Sequence, residues 1–415
     1  MSVAALLAEH GSPLWLADVD RARERLAGLR SAWTAAWAGA DGVEISYSYK
    51  TNRTTAFLRA FADDDAGAEV VCAAEYALAR DVVGVDGSRI TVNGPAKPDA
   101  MLERCAADGA LVIADSAAEL ERLAAAGVAR AGLRVGLPGP EGHPSRFGIA
   151  PQEIVAAGRR ARELGLALEV LSVHLVSTDF TADLGEDLSP PTPPTPPTRT
   201  LAASVRVGWA KPPDVHARAA TTLARLAAEL GVATIDLGGG IPAAPSPAAD
   251  AHAAAVADAL RTAGFAGRLQ LEPGRALVAD AVDLACTVIA VKTLAGGSTC
   301  AVIDAGTDLL PGALWAWPRL EALAPRAGVT PTLVAGPLCL NIDVVAPAAE
   351  LGELAPGDVL VAREVGAYQQ VGSTQFGDLR PAVVAREGGT WRLHRRREEL
   401  WDLIISDREE PSWSA

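Results

Sequence analysis

A (β/α)8 TIM barrel carrying a C-terminal antiparallel β domain is the fold class this sequence predicts, and three observations predict it. Eight short apolar runs alternate with Ala/Leu-rich helical segments between Val43 and Glu272. After Arg275 that alternation stops, and the segments become short, β-rich and separated by Gly/Pro turns. One more strand-like run, SPLWLADVD at 12–20, precedes the first barrel strand and is free to join the β domain. Nearly continuous apolar strands alternating with helices imply a parallel sheet covered on both faces. Eight such units imply closure into a barrel, with an open doubly wound sheet as the alternative. The expected division is a barrel over 25–275, with 1–24 and 276–415 forming the β-rich domain.

In chain order, Asp20 is expected to cap a helix running to about Trp37. The barrel strands are read at 43–49, 68–73, 90–94, 111–115, 131–137, 168–175, 234–238 and 269–272. Helices are read at TAFLRAFADD, AAEYALARDV, PDAMLERCAADG, SAAELERLAAAG, PQEIVAAGRRARELG and DVHARAATTLARLAAELG. A Pro/Thr-rich insertion at about 178–215, with PPTPPTPPT at its centre, breaks the rhythm; such a tract is extended or disordered, and a long insertion after a barrel strand is a lid or an excursion. The later segments VDLACTVIAVKTL, TCAVIDAG, TPTLVAGPL, DVLVAREVGAY and TWRLHRRR read as strands. The terminal EEPSWSA reads as a frayed tail.

Composition narrows the class. At 415 residues and 49% hydrophobic content the chain can bury a sizeable core. Its net charge of −14, with both signs interspersed, argues against nucleic acid as a partner. Five scattered cysteines without a CxxC pair suit a reducing cytoplasm, and the six histidines show no metal-binding spacing. The N-terminus lacks the basic region of a secretory signal, and no stretch is long and apolar enough to span a membrane. A cytoplasmic protein is expected.

Three stretches carry chemistry. VEISYSYK ends an apolar strand on Lys50, one of only four lysines. Arginine supplies nearly all other positive charge and cannot attack a carbonyl, whereas a lysine amine can form a Schiff base. Lys50 on its own also reads as a solvated strand end. DLGGGIP places Gly238, Gly239 and Gly240 after the seventh barrel strand, where successive backbone N–H groups can surround an anion; a tight turn explains them as well. EPGR places Glu272, Gly274 and Arg275 after the eighth strand, and the loops after strands seven and eight are the usual phosphate site of a barrel. A lysine, a phosphate cradle and a carboxylate around one barrel mouth form the layout that pyridoxal phosphate needs.

With YSYKTN, VVCAAEYALA, NGPAKP, DSAAELERL, SRFGI, SVHLVS, DLGGG, EPGR, IDAG, GPLC and GAY in this order, the chain resembles the barrel-type pyridoxal-phosphate decarboxylases that act on diaminopimelate, ornithine and arginine. The resemblance runs from PLWLADVD to FGDLRPAVV. It implies that Lys50 holds the cofactor, that Glu272 keeps the pyridine nitrogen protonated, and that His174 stacks on the ring. Ser177, Gly238, Gly239, Gly240, Gly274, Arg275 and Tyr368 would hold the phosphate. Cys339 would donate a proton to the substrate α-carbon. Asp343, Leu340, Phe376 and Arg146 would face the substrate. Cys339 and Asp343 would reach the neighbour's site across a homodimer with shared active sites. Without the motifs, His174 reads as a core histidine and Cys339 as a small buried residue.

Three departures concern the substrate. The residue after Cys339, usually acidic in the family, is Leu340. The stretch Leu309–Trp315 lacks the arginine that diaminopimelate decarboxylases direct at the distal carboxylate, and the glycine of the usual HxGS is Val176. The expectation is a decarboxylase of a non-standard or conjugated amino acid, in specialised biosynthesis. A racemase using the same cofactor, which would place an arginine where Glu272 stands, and a non-catalytic cofactor-binding homologue are the alternatives.

Overall fold

The computed structural model describes residues 1–39, 42–138, 145–175, 212–314 and 316–407. Helix α1 (Val3–His10) and strand β1 (Leu14–Asp18) open the chain, and helix α2 (Val19–Ala36) follows. The backbone N–H of Arg21 donates to Asp18, 3.0 Å away, so Asp18 takes the capping role expected of Asp20. Asp20 lies inside α2 and accepts instead from the N–H groups of Gly388 and Gly389, at 2.8 and 2.9 Å.

Eight parallel strands then form a closed barrel: β2 (Val43–Ser48), β3 (Gly67–Val70), β4 (Ile90–Val92), β5 (Leu111–Ala114), β6 (Arg130–Arg134), β7 (Ala167–Ser172), β8 (Thr234–Asp236) and β9 (Arg268–Leu271). They pair in chain order, and β9 closes on β2 with Val43 opposite Leu269. All eight expected strands are present, each ending one to three residues before the apolar run does. Helices α3 (Thr55–Asp63), α4 (Ala73–Ala77), α5 (Asp99–Asp108), α6 (Glu119–Ala125), α7 (Ile154–Glu163) and α8 (Pro213–Leu230) match the six expected segments. Past Ala77, α4 continues as a π-helical turn, Leu78–Val83, ended by Gly84 in the left-handed conformation. A further helix, α9 (Pro247–Thr262), was hidden by its prolines. Pro247 sits in its first turn, where a missing N–H costs nothing, and the Ser246 hydroxyl accepts from Ala249 N–H at 3.2 Å. Buried Leu111, Ile113 and Val170 form one core cluster of the barrel. Burying each such side chain contributes about 1.5–3 kcal/mol. Most of the Pro/Thr-rich insertion lies outside the described residues, and its expected end is helical, because α8 begins at Pro213.

The short helix α10 (Arg275–Val278) leads out of the barrel into β10 (Val282–Thr293), β11 (Thr299–Ile303), β12 (Arg319–Ala322), β13 (Thr330–Ala335), β14 (Val344–Leu351), β15 (Val359–Arg363), β16 (Ala382–Glu387) and β17 (Thr390–Arg395). Helices α11 (Gln369–Gly372) and α12 (Leu400–Ile404) accompany them. The sheet order is β14-β13-β11-β10-β1-β16-β17, with β15 pairing both β10 and β12. As expected, β1 joins this sheet, antiparallel to β10. The sheet is mostly antiparallel; the β1–β16 and β11–β13 pairs are parallel. Leu6, Leu14, Leu16, Ala285, Val361, Ala382 and Val384 form its core. The chain divides into two compact units, Arg23–Leu277 and Met1–Ala22 with Val278–Ala415. No helix among the described residues is long and apolar enough to cross a membrane.

Candidate functional site

Side chains alternate in direction along a strand, so register decides which residues meet. Register sets Ser48 of β2 opposite Glu69 of β3, and Glu69 opposite Thr91 of β4. Asn93 lies two residues beyond Thr91 and therefore shares its face. The result is a connected polar network at the C-terminal ends of the strands. Lys50, in a one-turn 3₁₀ helix just past β2, donates from Nζ to Glu69 Oε2 at 2.6 Å. The Ser48 hydroxyl donates to the same oxygen at 2.6 Å. Asn93 Nδ2 bridges Glu69 Oε1 at 3.2 Å and Glu272 Oε1 at 2.7 Å. On the far side, Asp236 accepts from Ser172 Oγ at 3.1 Å and from the Gly238 N–H at 2.8 Å.

Three carboxylates, Glu69, Asp236 and Glu272, are thus buried together. Burial pushes all three upward, and their partners then separate them. For Glu69 the Lys50 ammonium and the hydrogen bonds from Lys50 and Ser48 more than offset burial, and its pKa lies below the ordinary value. Burial raises Asp236 to about 6. Glu272 is pushed well above the usual carboxylate range by burial and by the charges of Asp236 and Glu69. His174 is held down to about 3 by burial, then by Lys50 and Arg134. It is neutral at working pH, and its Nδ1 accepts from Gly239 N–H at 3.4 Å, which places its proton on Nε2.

The glycine loop and the EPGR loop are neighbours. Glu272 N–H donates to Gly238 O at 2.9 Å, and Ser48 N–H donates to Pro273 O at 3.1 Å, which ties the Lys50 strand to the same place. Gly238 has φ +65°, and a Cβ there would lie 2.7 Å from both His174 Nδ1 and Val173 O. A Cβ on Gly274 would lie 1.9 Å from Thr51 Oγ1. Glycine is required at both positions by close approach, and at Gly238 by conformation too. Arg275 starts α10 beside them and is half-buried. This set can hold an anion against backbone N–H groups, a protonated ring nitrogen against Glu272, and a carbonyl carbon at Lys50.

The structure therefore brings together Lys50, His174, Gly238, Gly239, Gly240, Glu272, Gly274 and Arg275. Ser177 lies outside the described residues, as does Trp315. Arg146 is exposed and stacks its guanidinium 3.9 Å from the centre of the Phe147 ring. Tyr368, Cys339, Leu340, Asp343 and Phe376 belong to the sheet unit. Tyr368 precedes α11 with φ +67°, a left-handed conformation uncommon outside glycine. Cys339, Leu340 and Phe376 are exposed. Asp343, expected to reach a substrate, is instead 3% exposed. Its carboxylate accepts from the Thr307 N–H at 2.7 Å, the Thr307 hydroxyl at 3.1 Å and the Leu338 N–H at 2.8 Å. It organises the loop that carries Cys339.

Sequence reasoning missed Glu69, Asn93, Asp236 and Ser48. Glu69 had a signal, since a carboxylate inside an apolar strand needs a partner. Asp236 and Asn93 stood inside motifs already singled out, DLGGG and NGPAKP, without a role.

Residues 18–366 match a family model described as the pyridoxal-dependent decarboxylase, C-terminal sheet domain. The diaminopimelate decarboxylase of Deinococcus radiodurans is 29% identical over 414 residues, covering 96% of each chain. That of Archaeoglobus fulgidus is 26% identical over 445 residues, covering 100% of this chain and 96% of the relative. The crystal structure of diaminopimelate decarboxylase from Helicobacter pylori complexed with L-lysine superposes with a TM-score of 0.82 at 21% identity, covering 98% of this chain and 99% of that one, and shows the shared fold.

Proposed function

The chain belongs to the pyridoxal-dependent decarboxylase family, and within it we propose that the substrate is a non-standard or conjugated amino acid. Pyridoxal phosphate, when bound, supplies the electron sink that makes loss of an α-carboxylate as CO₂ accessible. The residues present fit that group. Among the described residues, three buried carboxylates share one nearby lysine, an imbalance that a protonated ring nitrogen beside Glu272 would relieve. At Gly238, Gly239 and Gly274 the two loops leave room where a Cβ would collide. On this reading Lys50 carries the cofactor and Glu69 holds the amine in place through its 2.6 Å contact. Glu272 keeps a proton at the ring nitrogen, His174 presents a neutral ring face, and the Gly238–Gly240 loop, through its Gly240 N–H, receives the phosphate with Gly274 and Arg275. Retention of Glu272 in that position argues against a racemase.

We assign Cys339 to the second half of the reaction, in which the α-carbon left by CO₂ takes a proton from a thiol. The sheet unit exposes Leu314, Trp317, Leu340, Ile342 and Phe376 together with Cys339. An apolar set of this kind supports a homodimer in which each copy completes the other's site. Mixing Lys50→Ala with Cys339→Ala protein should then restore activity through hybrid dimers. No recovery after verified subunit exchange would overturn shared sites. Five cysteines, none in a disulfide, are in keeping with a reducing cytoplasm.

The observation that carries the substrate assignment is the state of the segment around Cys339. Leu340 offers no charge, and the carboxylate of Asp343 is occupied by three loop hydrogen bonds. Neither provides an open partner for a distal ammonium, and a charge desolvated without a partner costs several kcal/mol. The distal group is therefore neutral, acylated or otherwise extended. The test compares kcat/KM for lysine, ornithine and diaminopimelate with their ω-acylated or conjugated derivatives. A preference of roughly 100-fold or more for a derivative is expected. A free diamino acid turned over as efficiently as any derivative would overturn the assignment, with diaminopimelate, the substrate in the relatives' names, as the decisive comparator.

A further inference from the structure

Two buried histidines on helices α8 and α9 stand behind the glycine loop. His216 and His252 are both 0% exposed. The other buried positions of these helices are alanine, leucine and valine. Imidazoles in such a setting lose their hydration, and burying them costs free energy unless each polar atom finds a partner. Their ring nitrogens form a directed chain. His216 Nε2 lies 3.2 Å from Gly239 O, and His252 Nε2 lies 3.1 Å from His216 Nδ1. A carbonyl oxygen can only accept, so His216 carries its proton on Nε2. His216 Nδ1 is then an acceptor, and His252 must also carry its proton on Nε2. The chain ends at His252 Nδ1, a buried atom with no hydrogen-bond partner among the described residues. The rings meet edge to face at 4.9 Å, and Trp33 lies against His252 at 6.1 Å. Burial lowers His252 to about 4, in keeping with a neutral ring at working pH.

Gly239 is consequently gripped twice, its N–H by His174 and its C=O by His216. A trans peptide points its C=O and N–H in opposite directions. Fixing Gly239 O toward His216 therefore turns the Gly240 N–H away from α8. Gly240 is exposed, whereas Gly238 and Gly239 are buried.

We propose that His216, braced by His252, is a positioning residue that locks the Gly239–Gly240 peptide so that the Gly240 N–H faces the cofactor's phosphate. The inference rests on the reading that this glycine loop receives the phosphate. It explains why two imidazoles are buried where apolar side chains would pack at lower cost, and why one ring atom is left unsatisfied.

The test measures dissociation constants for pyridoxal 5′-phosphate and for phosphate-free pyridoxal, with the phosphorus NMR shift of the bound cofactor as a readout independent of turnover. His216→Leu should weaken the phosphorylated form by roughly ten-fold, the scale of one buried hydrogen bond, and move the phosphorus signal, while pyridoxal affinity stays within about two-fold. His216→Gln, which returns a donor to Gly239 O, should recover most of the loss. His252→Leu should give a smaller loss of the same kind. Where His216→Leu does not accumulate as folded protein, His252→Leu and His216→Gln carry the same comparison. Equal weakening of both ligands, or an unmoved phosphorus signal, would reduce the pair to packing and overturn the inference. If the wild-type protein itself held pyridoxal as tightly as the phosphorylated cofactor, the assignment of the loop to phosphate would fail first, and that outcome is read before any variant is made.

Discussion

Asp236→Asn changes one atom in the buried cluster of Glu69, Asp236 and Glu272, and its effect can be worked out in advance. Asp236 has a folded pKa of about 6 against an ordinary 3.8, and burial is the main cause. The folded state therefore keeps its proton longer than the unfolded chain does. Stability from this group is complete below pH 3.8, declines as pH rises, and reaches its floor above about pH 6. The whole decline corresponds to about 3 kcal/mol, of which roughly half accrues between pH 5 and pH 8. Asparagine has no proton to lose, so the variant avoids the decline. It keeps an acceptor for the Gly238 N–H, and the Ser172 hydroxyl can rotate to accept from the new amide. Exchanging charged for neutral hydrogen bonds costs about 1 kcal/mol. Relief of Glu272, which the Asp236 charge pushes upward, works in the stabilising direction. Urea unfolding of the cofactor-free protein should show the variant gaining on wild type by about 1.5 kcal/mol between pH 5 and pH 8. A stability difference that does not change with pH would refute the argument, because it would mean that Asp236 is ionised throughout or titrates alike in both states.

Three further expectations can be checked. Borohydride reduction of the holoenzyme should fix the cofactor to the peptide containing Lys50, and Lys50→Ala should abolish that adduct; an adduct at another lysine would remove Lys50 from its role. Gly274→Ala should destabilise the protein by about 1–3 kcal/mol through collision of the new Cβ with Thr51 Oγ1, and Thr51→Ala in the same chain should recover part of that loss. The ring of His174, held down to about 3 by burial and by Lys50, should show no titration by nitrogen NMR between pH 5 and pH 8.

How much of this was legible beforehand follows from what each feature depends on. The barrel depended on the apolar runs and their alternation with helices, and both are properties of composition along the chain. The placement of β1 in the second sheet was legible because its run is too early for the barrel. Helix α9 was not, because its prolines read as a loop until Pro247 is seen to occupy the first turn. The partner of Lys50 was illegible for another reason. Ser48 meets Glu69 because of strand register, and register emerges from closure of the whole barrel. Asp343 shows the limit from the other side. Its motif marked it for function, yet burial and three donors give it a structural task in this chain.

The three carboxylates show what such a network does beyond holding its members. Glu69, Asp236 and Glu272 have the same functional group and nearly the same burial, so intrinsic chemistry cannot separate them. Among the described residues Glu69 alone of the three touches a cation, and it alone is driven below its ordinary pKa. Burial drives Asp236 up, and burial with the charges of Asp236 and Glu69 drives Glu272 up. The site thus keeps one fixed negative charge beside the lysine and retains a proton on Glu272. A group entering between them meets an amine held at a defined place on one side and a proton-bearing carboxyl on the other. Asn93 spans the two, donating to both carboxylates from one amide nitrogen. Replacing it with leucine would leave two buried acceptors unsatisfied at once, at about 1–3 kcal/mol each. This amide thereby ties the carboxylate that holds the lysine to the carboxyl of Glu272.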